Sequence, residues 1–281
     1  MNVIKTICVC GAGTMGSGIA QVCATAGYKT ILYDLDKEIV QKAKTNIKNN
    51  LIKLVEKQKL SESEQQILQR LQFTSDVNEC VGEIIIEAII EKVEAKISLF
   101  NHLFALNATQ TIFASNTSSL SVTEIAKSLK EPEKMIGLHF FNPAPLMKLV
   151  EVIKTDYTKE ETLLAVASFV QSLNKKPVIC NDSPGFIVNR VARPFYIESL
   201  KLVEEGKASF ETIDRLLENR GFKMGPFILM DLIGNDINYA VSCSVYEQLN
   251  KPERLQPSDI QKEKVKKGEL GKKTGKGYYQ Y

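Results

Sequence analysis

The stretch Gly137–Pro145, GLHFFNPAP, carries one of the two histidines of the chain, His139, at the end of an apolar run. A rigid Asn142-Pro143 turn follows it. Further on, Glu151 lies inside KLVEVIK, a carboxylate flanked by valines. A buried carboxylate is costly unless paired, and a histidine is its obvious partner. A neutral imidazole is available at neutral pH, which makes histidine a natural base. Taken alone, His139 reads first as a buried histidine satisfied by a backbone carbonyl. In SNTSSLSVTE (115–124), Ser121 and Glu124 have the spacing of a capping box, which explains Ser121 locally. Ser118 has no such explanation.

A second group of residues binds rather than reacts. Gly11-Ala12-Gly13-Thr14-Met15-Gly16 follows a predicted strand and opens a predicted helix. Asp34 comes about twenty residues later, at the end of the next strand. In this context Gly11 makes the tight turn, Gly13 admits a pyrophosphate, and Gly16 lets helix and strand pack closely. The helix N-terminus offers unpaired N–H groups to phosphates. Asp34 accepts from ribose hydroxyls and repels a 2′-phosphate, so the cofactor read from these residues is NAD rather than NADP.

The elements that position these groups are legible as a β-α-β alternation. Strands are expected over 3–10, 29–34, 83–89, 111–116, 134–141, 148–154 and 175–180. A long amphipathic helix is expected over 37–60 and another over 160–173. From Pro184 onward the pattern is helical, with few β-branched runs. The fold class is therefore α/β: a Rossmann-like dinucleotide-binding domain over 1–183 and an all-helical domain over 184–281. No Gly/Ser-rich linker separates them, which predicts tight packing.

Bulk composition excludes several classes. Thirty-six basic and thirty-three acidic residues leave +3, too weak a balance for nucleic acid. No apolar run approaches the length of a membrane span, and no secretory signal is visible. The six cysteines form no C-x-x-C pair and have no histidine at zinc-ligand spacing, so no metal is expected. Cys8 and Cys10 share one face of a strand and read as small core residues. Scattered thiols suit a reducing compartment, and a cytoplasmic location is expected. The lysine-rich end, KEKVKKGELGKKTGKG, reads either as a solvated, mobile tail or as a phosphate contact.

The glycine loop, SNTSSL, GLHFFNPAPLMKLVEVI, SPGFIVNR, MGPFILMDLIG and GKKTGKGYYQY together resemble the L-3-hydroxyacyl-CoA dehydrogenases, most closely the short single-function bacterial form acting on 3-hydroxybutyryl-CoA. The resemblance covers nearly the whole chain. It implies His139 as catalytic base and Glu151 as the acid that orients it. It implies Ser118 near the C3 oxygen of the substrate and Asn189 at the reacting end. NAD-contacting positions matched are Asp34, Glu91, Lys96, Ser118, Asn142 and Lys273. Lys57 matches a basic residue that meets CoA, while the neighbouring CoA-contacting serine of the family is Asn50 here, a departure that keeps a polar group.

The resemblance further implies an acyl-CoA substrate, which is expected in a cleft between the domains, where binding sites commonly fall. The apolar run PFILMDLIGNDINYAVSC, more than a lone helical domain needs to bury, predicts a homodimer through the helical domain, and the resemblance points the same way. Without it, Asn189 reads as a helix-surface residue, Ser118 as a loop hydroxyl, and Lys57 as part of a solvated face. Glu91 then reads as a helix-start acid, Lys96 as a surface lysine, and His102 as packing. Two other functions remain beside the first: an oxidoreductase of the same build acting on a free hydroxy acid, as the lambda-crystallin relatives do, and an NAD-binding protein without turnover.

Overall fold

The run VIKTICVC is apolar and β-branched, and it builds a strand buried on both faces, β1 (Thr6–Cys10). The computed structural model describes residues 4–281, so Val3, where the strand was expected to begin, lies outside the described residues. The chain continues through α1 (Thr14–Thr25), β2 (Lys29–Tyr33), α2 (Lys37–Glu56), α3 (Glu64–Leu68) and β3 (Leu71–Thr74). Next come β4 (Ile84–Glu87), α4 (Val93–Leu106), β5 (Ile112–Ser115), α5 (Val122–Lys127) and β6 (Met135–Phe140). The unit closes with β7 (Leu149–Lys154), α6 (Glu160–Ser172) and β8 (Lys176–Asn181).

These strands form one eight-stranded sheet in the order β3-β2-β1-β4-β5-β6-β7-β8. The first six are parallel, β7 runs antiparallel to β6, and β8 is parallel to β7. The order 3-2-1-4-5-6 is that of a dinucleotide-binding sheet, with its topological switch beside β1. Ligands of such sheets bind outside the carboxyl ends of the strands. Gly11, Asn116 and His139 stand at or just beyond those ends of β1, β5 and β6.

Several local expectations need correction. The helix expected to reach residue 60 stops at Glu56, because Gln58 takes a left-handed conformation with φ 53°. Ser63 then starts α3 with its own capping box. β3 was not anticipated: its four residues, LQFT, form no continuous apolar run of the kind that marked β4. The Ser121–Glu124 box is only half formed. Ser121 Oγ accepts from the Glu124 amide at 3.2 Å, but it donates to Asp182 Oδ2 at 2.7 Å, and Asp182 also accepts from the Thr123 amide. A carboxylate distant in sequence completes this cap. The cysteines are less scattered than expected, since the sulfurs of Cys8, Cys10 and Cys80 all lie within 4.8 Å of one another.

A second unit spans Ser183–Tyr281. It contains α7 (Val188–Glu204), α8 (Phe210–Asn219), α9 (Pro226–Ile233), α10 (Asn235–Gln248) and α11 (Asp259–Lys266). Its core gathers Tyr196, Leu200, Ile213, Phe227, Met230 and Tyr278. Buried Asp231 accepts from the Tyr278 and Tyr279 amides, each at 3.0 Å, and from the Tyr281 hydroxyl. Asp214 accepts from the Tyr279 hydroxyl at 2.8 Å. The lysine-rich end is solvated as expected, with Lys262, Lys266, Lys267, Lys272, Lys273 and Lys276 exposed, but it is not a free tail: the tyrosines that follow it are held to the helices by two buried carboxylates.

Candidate active site

His139 is the fifth residue of β6, and Glu151 the third of β7. The antiparallel register sets the two directly opposite each other, so their side chains share one face. Glu151 Oε2 accepts from His139 Nδ1–H at 2.7 Å. The carboxylate is fully buried and the imidazole nearly so. A carboxylate can only accept, so the proton of the neutral ring sits on Nδ1 and the lone pair on Nε2. The Phe141 ring, 4.5 Å from the imidazole centroid to centroid, packs beside it.

Two contacts hold the end of β6 in place. Asn116 Oδ1 accepts from the Phe140 amide at 2.9 Å and ties the end of β5 to that of β6. Lys175 Nζ donates to the Ala144 and Met147 carbonyls at 2.6 and 2.7 Å, clamping the loop that carries exposed Asn142. Burial, with Lys148 nearby, lowers the Lys175 pKa below the usual lysine range. The Asn142–Pro143 peptide in this loop is cis.

Ser118 lies in the loop after β5, where an acid organises the backbone. Glu91 Oε1 accepts from the Ser118 amide at 3.1 Å and from the Thr117 hydroxyl. Lys96 pairs with Glu91 at 3.1 Å and with Glu87 at 2.6 Å. Lys96 is therefore no surface lysine: its side chain is 1% exposed, buried between two carboxylates. Desolvation pushes Glu91 up, yet Lys96, the Thr117 hydroxyl and the Ser118 amide together hold it below the usual carboxylate range. For Glu87 burial prevails and its pKa rises, against the opposing pull of Lys96 and the Ser115 hydroxyl. Sequence reasoning passed over Glu87, Asn116 and Lys175. The signal for Glu87 was the one used for Glu151, an acid within an apolar strand run.

The glycine turn has the shape a pyrophosphate needs. Gly11 has φ 106°, and a Cβ there would stand 2.4 Å from the Ala88 carbonyl oxygen. A Cβ at Gly16 would meet the Gly11 carbonyl oxygen at 1.7 Å. Over Gly13 lies open space, with nothing within 4 Å of a Cβ position. Thr14 and Met15 begin α1, whose first turn carries no acid and no side-chain cap. Its amides and positive dipole end thus suit an anion. Asp34 Oδ2 accepts from the Ala12 amide at 2.7 Å, which fixes the acid beside the turn. The residues present fit NAD.

Of the remaining candidates, Asn50, Lys57 and His102 belong to the first unit and Asn189 and Lys273 to the second. Asn50 and Lys57 are exposed, on and just after α2, seven residues apart and so on one face. Asn189 lies in the first turn of α7, and its carbonyl accepts from Arg193 Nε at 3.0 Å. Burial lowers Arg193 to about 10. Lys273 Nζ pairs with both oxygens of Asp236, at 2.6 and 2.7 Å. His102 is exposed on α4 rather than packed.

Residues 6–183 match the 3-hydroxyacyl-CoA dehydrogenase NAD-binding domain, and residues 185–281 match the C-terminal domain of the same family. The chain is 44% identical over 281 residues to 3-hydroxyadipyl-CoA dehydrogenase of Escherichia coli, covering 99% of this chain but only 59% of that protein. It is 40% identical to a probable 3-hydroxybutyryl-CoA dehydrogenase of Bacillus subtilis, covering 99% of this chain and 98% of the relative. The crystal structure of (S)-3-hydroxybutyryl-CoA dehydrogenase from Ralstonia eutropha is similar with TM-score 0.94 and 36% identity, covering 99% of both chains.

Proposed function

The chain belongs to the 3-hydroxyacyl-CoA dehydrogenase family and its first unit is an NAD-binding domain, and from that premise we propose that it interconverts (S)-3-hydroxyacyl-CoA and 3-ketoacyl-CoA, with short acyl chains such as 3-hydroxybutyryl-CoA. The observation that carries the reading is the buried His139–Glu151 pair at the carboxyl edge of the sheet. His139 Nε2 takes the hydroxyl proton of the substrate. Glu151 keeps Nδ1 protonated and stabilises the imidazolium that forms. When bound, NAD accepts the hydride from C3. Ser118 and Asn189 hydrogen-bond the oxygens of the reacting end. In reduction His139 returns the proton.

Gly11, Gly13, Thr14, Met15 and Gly16 cradle the pyrophosphate, and Asp34 takes the adenosine ribose. Glu91, Lys96, Asn142 and Lys273 are the further contacts assigned to the dinucleotide. Asn50 and Lys57 are assigned to the CoA moiety, supported by their exposure on one face. All six cysteines are free, which supports a reducing, cytoplasmic setting. Among the described residues, no helix is long and apolar enough to cross a membrane.

The test is NADH oxidation with acetoacetyl-CoA, run beside free acetoacetate. Turnover with the thioester and little with the free acid is expected. Comparable rates with both would assign the chain to a hydroxy-acid oxidoreductase. No turnover with either would leave an NAD-binding protein without catalysis.

A further inference from the structure

Three thiols of the first unit converge where the proposed reaction uses none of them. Cys8 and Cys10 lie two apart on β1, so they share one face. Cys80 enters from the segment between β3 and β4, directly after the short helical turn Val77–Glu79. All three are fully buried. The Cys8 and Cys10 sulfurs stand 3.8 Å apart, and the three sulfurs lie within 4.8 Å of one another.

That spacing is close to a coordination sphere. A metal bonded to three sulfurs at about 2.3 Å in one plane spaces them about 4 Å apart. The cluster needs a contraction below an ångström at its longest edge. Among the described residues, no histidine or carboxylate joins the three sulfurs as a fourth donor. Closed zinc sites are almost always four-coordinate. Soft thiolates without a fourth ligand favour a soft ion that accepts three, and Cu(I) is that ion among the first-row metals.

We propose that Cys8, Cys10 and Cys80 form a trigonal three-sulfur site for Cu(I). Each sulfur that binds as a thiolate forms a Cu–S bond and releases its proton to solvent; no electron is transferred. Entry runs through the Cys80 segment. Cys80 is the buried residue between exposed Glu79 and Val81, so displacement of a short surface stretch uncovers it. Cys10 directly precedes Gly11, whose amide donates to the Tyr33 carbonyl at 2.7 Å. An ion at this site therefore joins β1 to the segment entering β4, immediately behind the glycine turn. It stabilises the fold. The thiol site is independent of the reaction proposed above.

The experiment titrates the reduced protein with Cu(I) under anaerobic conditions, against a chromogenic Cu(I) chelator. One equivalent is expected to stay with the protein, with a rise in Tm. X-ray absorption should report three sulfur neighbours. Cys80→Ala should weaken retention at least about 100-fold, while the paired changes Cys180→Ala and Cys243→Ala should leave it intact. Should Cys80→Ala fail to fold, the wild-type protein still decides. Alkylation in sub-denaturing urea, mapped by mass spectrometry, should spare Cys8, Cys10 and Cys80 only when Cu(I) is present. Retention abolished by the Cys180→Ala and Cys243→Ala pair, two sulfur neighbours, equal alkylation with and without Cu(I), or Zn(II) held as tightly in the same competition would each overturn the site. The three thiols would then be small core residues and nothing more.

Discussion

At the scale of single residues, the His139–Glu151 hydrogen bond is short, buried and set by strand register, so the two side chains act as one unit. Replacing His139 by Gln keeps polarity and approximate size but removes the base, and kcat should fall by roughly 10²–10⁴. Glu151→Gln should also lower kcat, because the amide no longer enforces the Nδ1–H tautomer. The double variant should lose much less than the product of the two single losses, since groups acting together are not additive. Steady-state kinetics of the three variants decide it; independent multiplication of the losses would break the pairing, and full turnover of His139→Gln with lost stability would return the histidine to a packing role. Asp34 carries a second prediction at this scale. Its carboxylate is pinned beside the glycine turn by the Ala12 amide, so a 2′-phosphate would meet a fixed negative charge. The ratio of kcat/KM for NADH to that for NADPH should strongly favour NADH, and Asp34→Ser should reduce it. Equal values in the unaltered protein would refute the assignment.

At the scale of elements, the loops after β4 and β5 are joined by charge rather than by apolar packing. Lys96 on α4 reaches back to Glu87 at the end of β4 and to Glu91 in the loop, and Glu91 in turn holds the Thr117 hydroxyl and the Ser118 amide. Removing the ammonium leaves a buried carboxylate unpaired. Lys96→Met should therefore destabilise the protein by about 3–5 kcal/mol. It should also raise the KM for NADH, because the Ser118 loop loses the charge that fixes Glu91. Urea unfolding and initial-rate kinetics measure the two effects. An unchanged midpoint would show that Glu87 simply takes up a proton at no cost. The far end of the chain is an element of the same kind. Lys264 donates to Glu269 and to the Gly277 carbonyl, each at 2.7 Å, and the contacts with Lys264 and then Lys276 pull Glu269 down to about 2. Lys273 is thus presented from an ordered tail.

At the scale of the whole molecule, the second unit keeps apolar surface in water. Leu232, Ile233 and Ile237, at the junction of α9 and α10, are 49%, 37% and 50% exposed. Leu216 on α8 and Phe222 just after it are 58% and 50% exposed. Exposed large apolar side chains on a helical unit are what a partner surface covers. We expect a homodimer assembled through this helical unit. Sedimentation at micromolar concentration should report twice the chain mass, and Ile237→Glu should shift it toward monomer. A monomer for the unaltered protein would assign that surface to something else.

What depends on a few neighbouring residues is legible along the chain. The glycine turn, Asp34 at the end of the second strand and the alternation of strand and helix all follow from backbone sterics and hydrophobic period. Those forces act over one turn or one strand, so they can be read along the chain. The chemistry of His139 beside Glu151 could be anticipated from residue types. Their opposition could not, because it needs β7 to return antiparallel to β6 in one register. The same holds for Lys96 between Glu87 and Glu91, for Lys175 on the Asn142 loop, for Asp182 at the Ser121 cap, and for Cys80 beside Cys8 and Cys10. Each joins groups from separate segments whose approach is set by the burial of the whole core. A lysine on a helix reads as solvated until the fold places it under two carboxylates. A lysine-rich end reads as mobile until two buried aspartates and three tyrosines tie it down. Local sterics write the elements into the sequence; which buried charges and thiols meet is decided only when the elements pack.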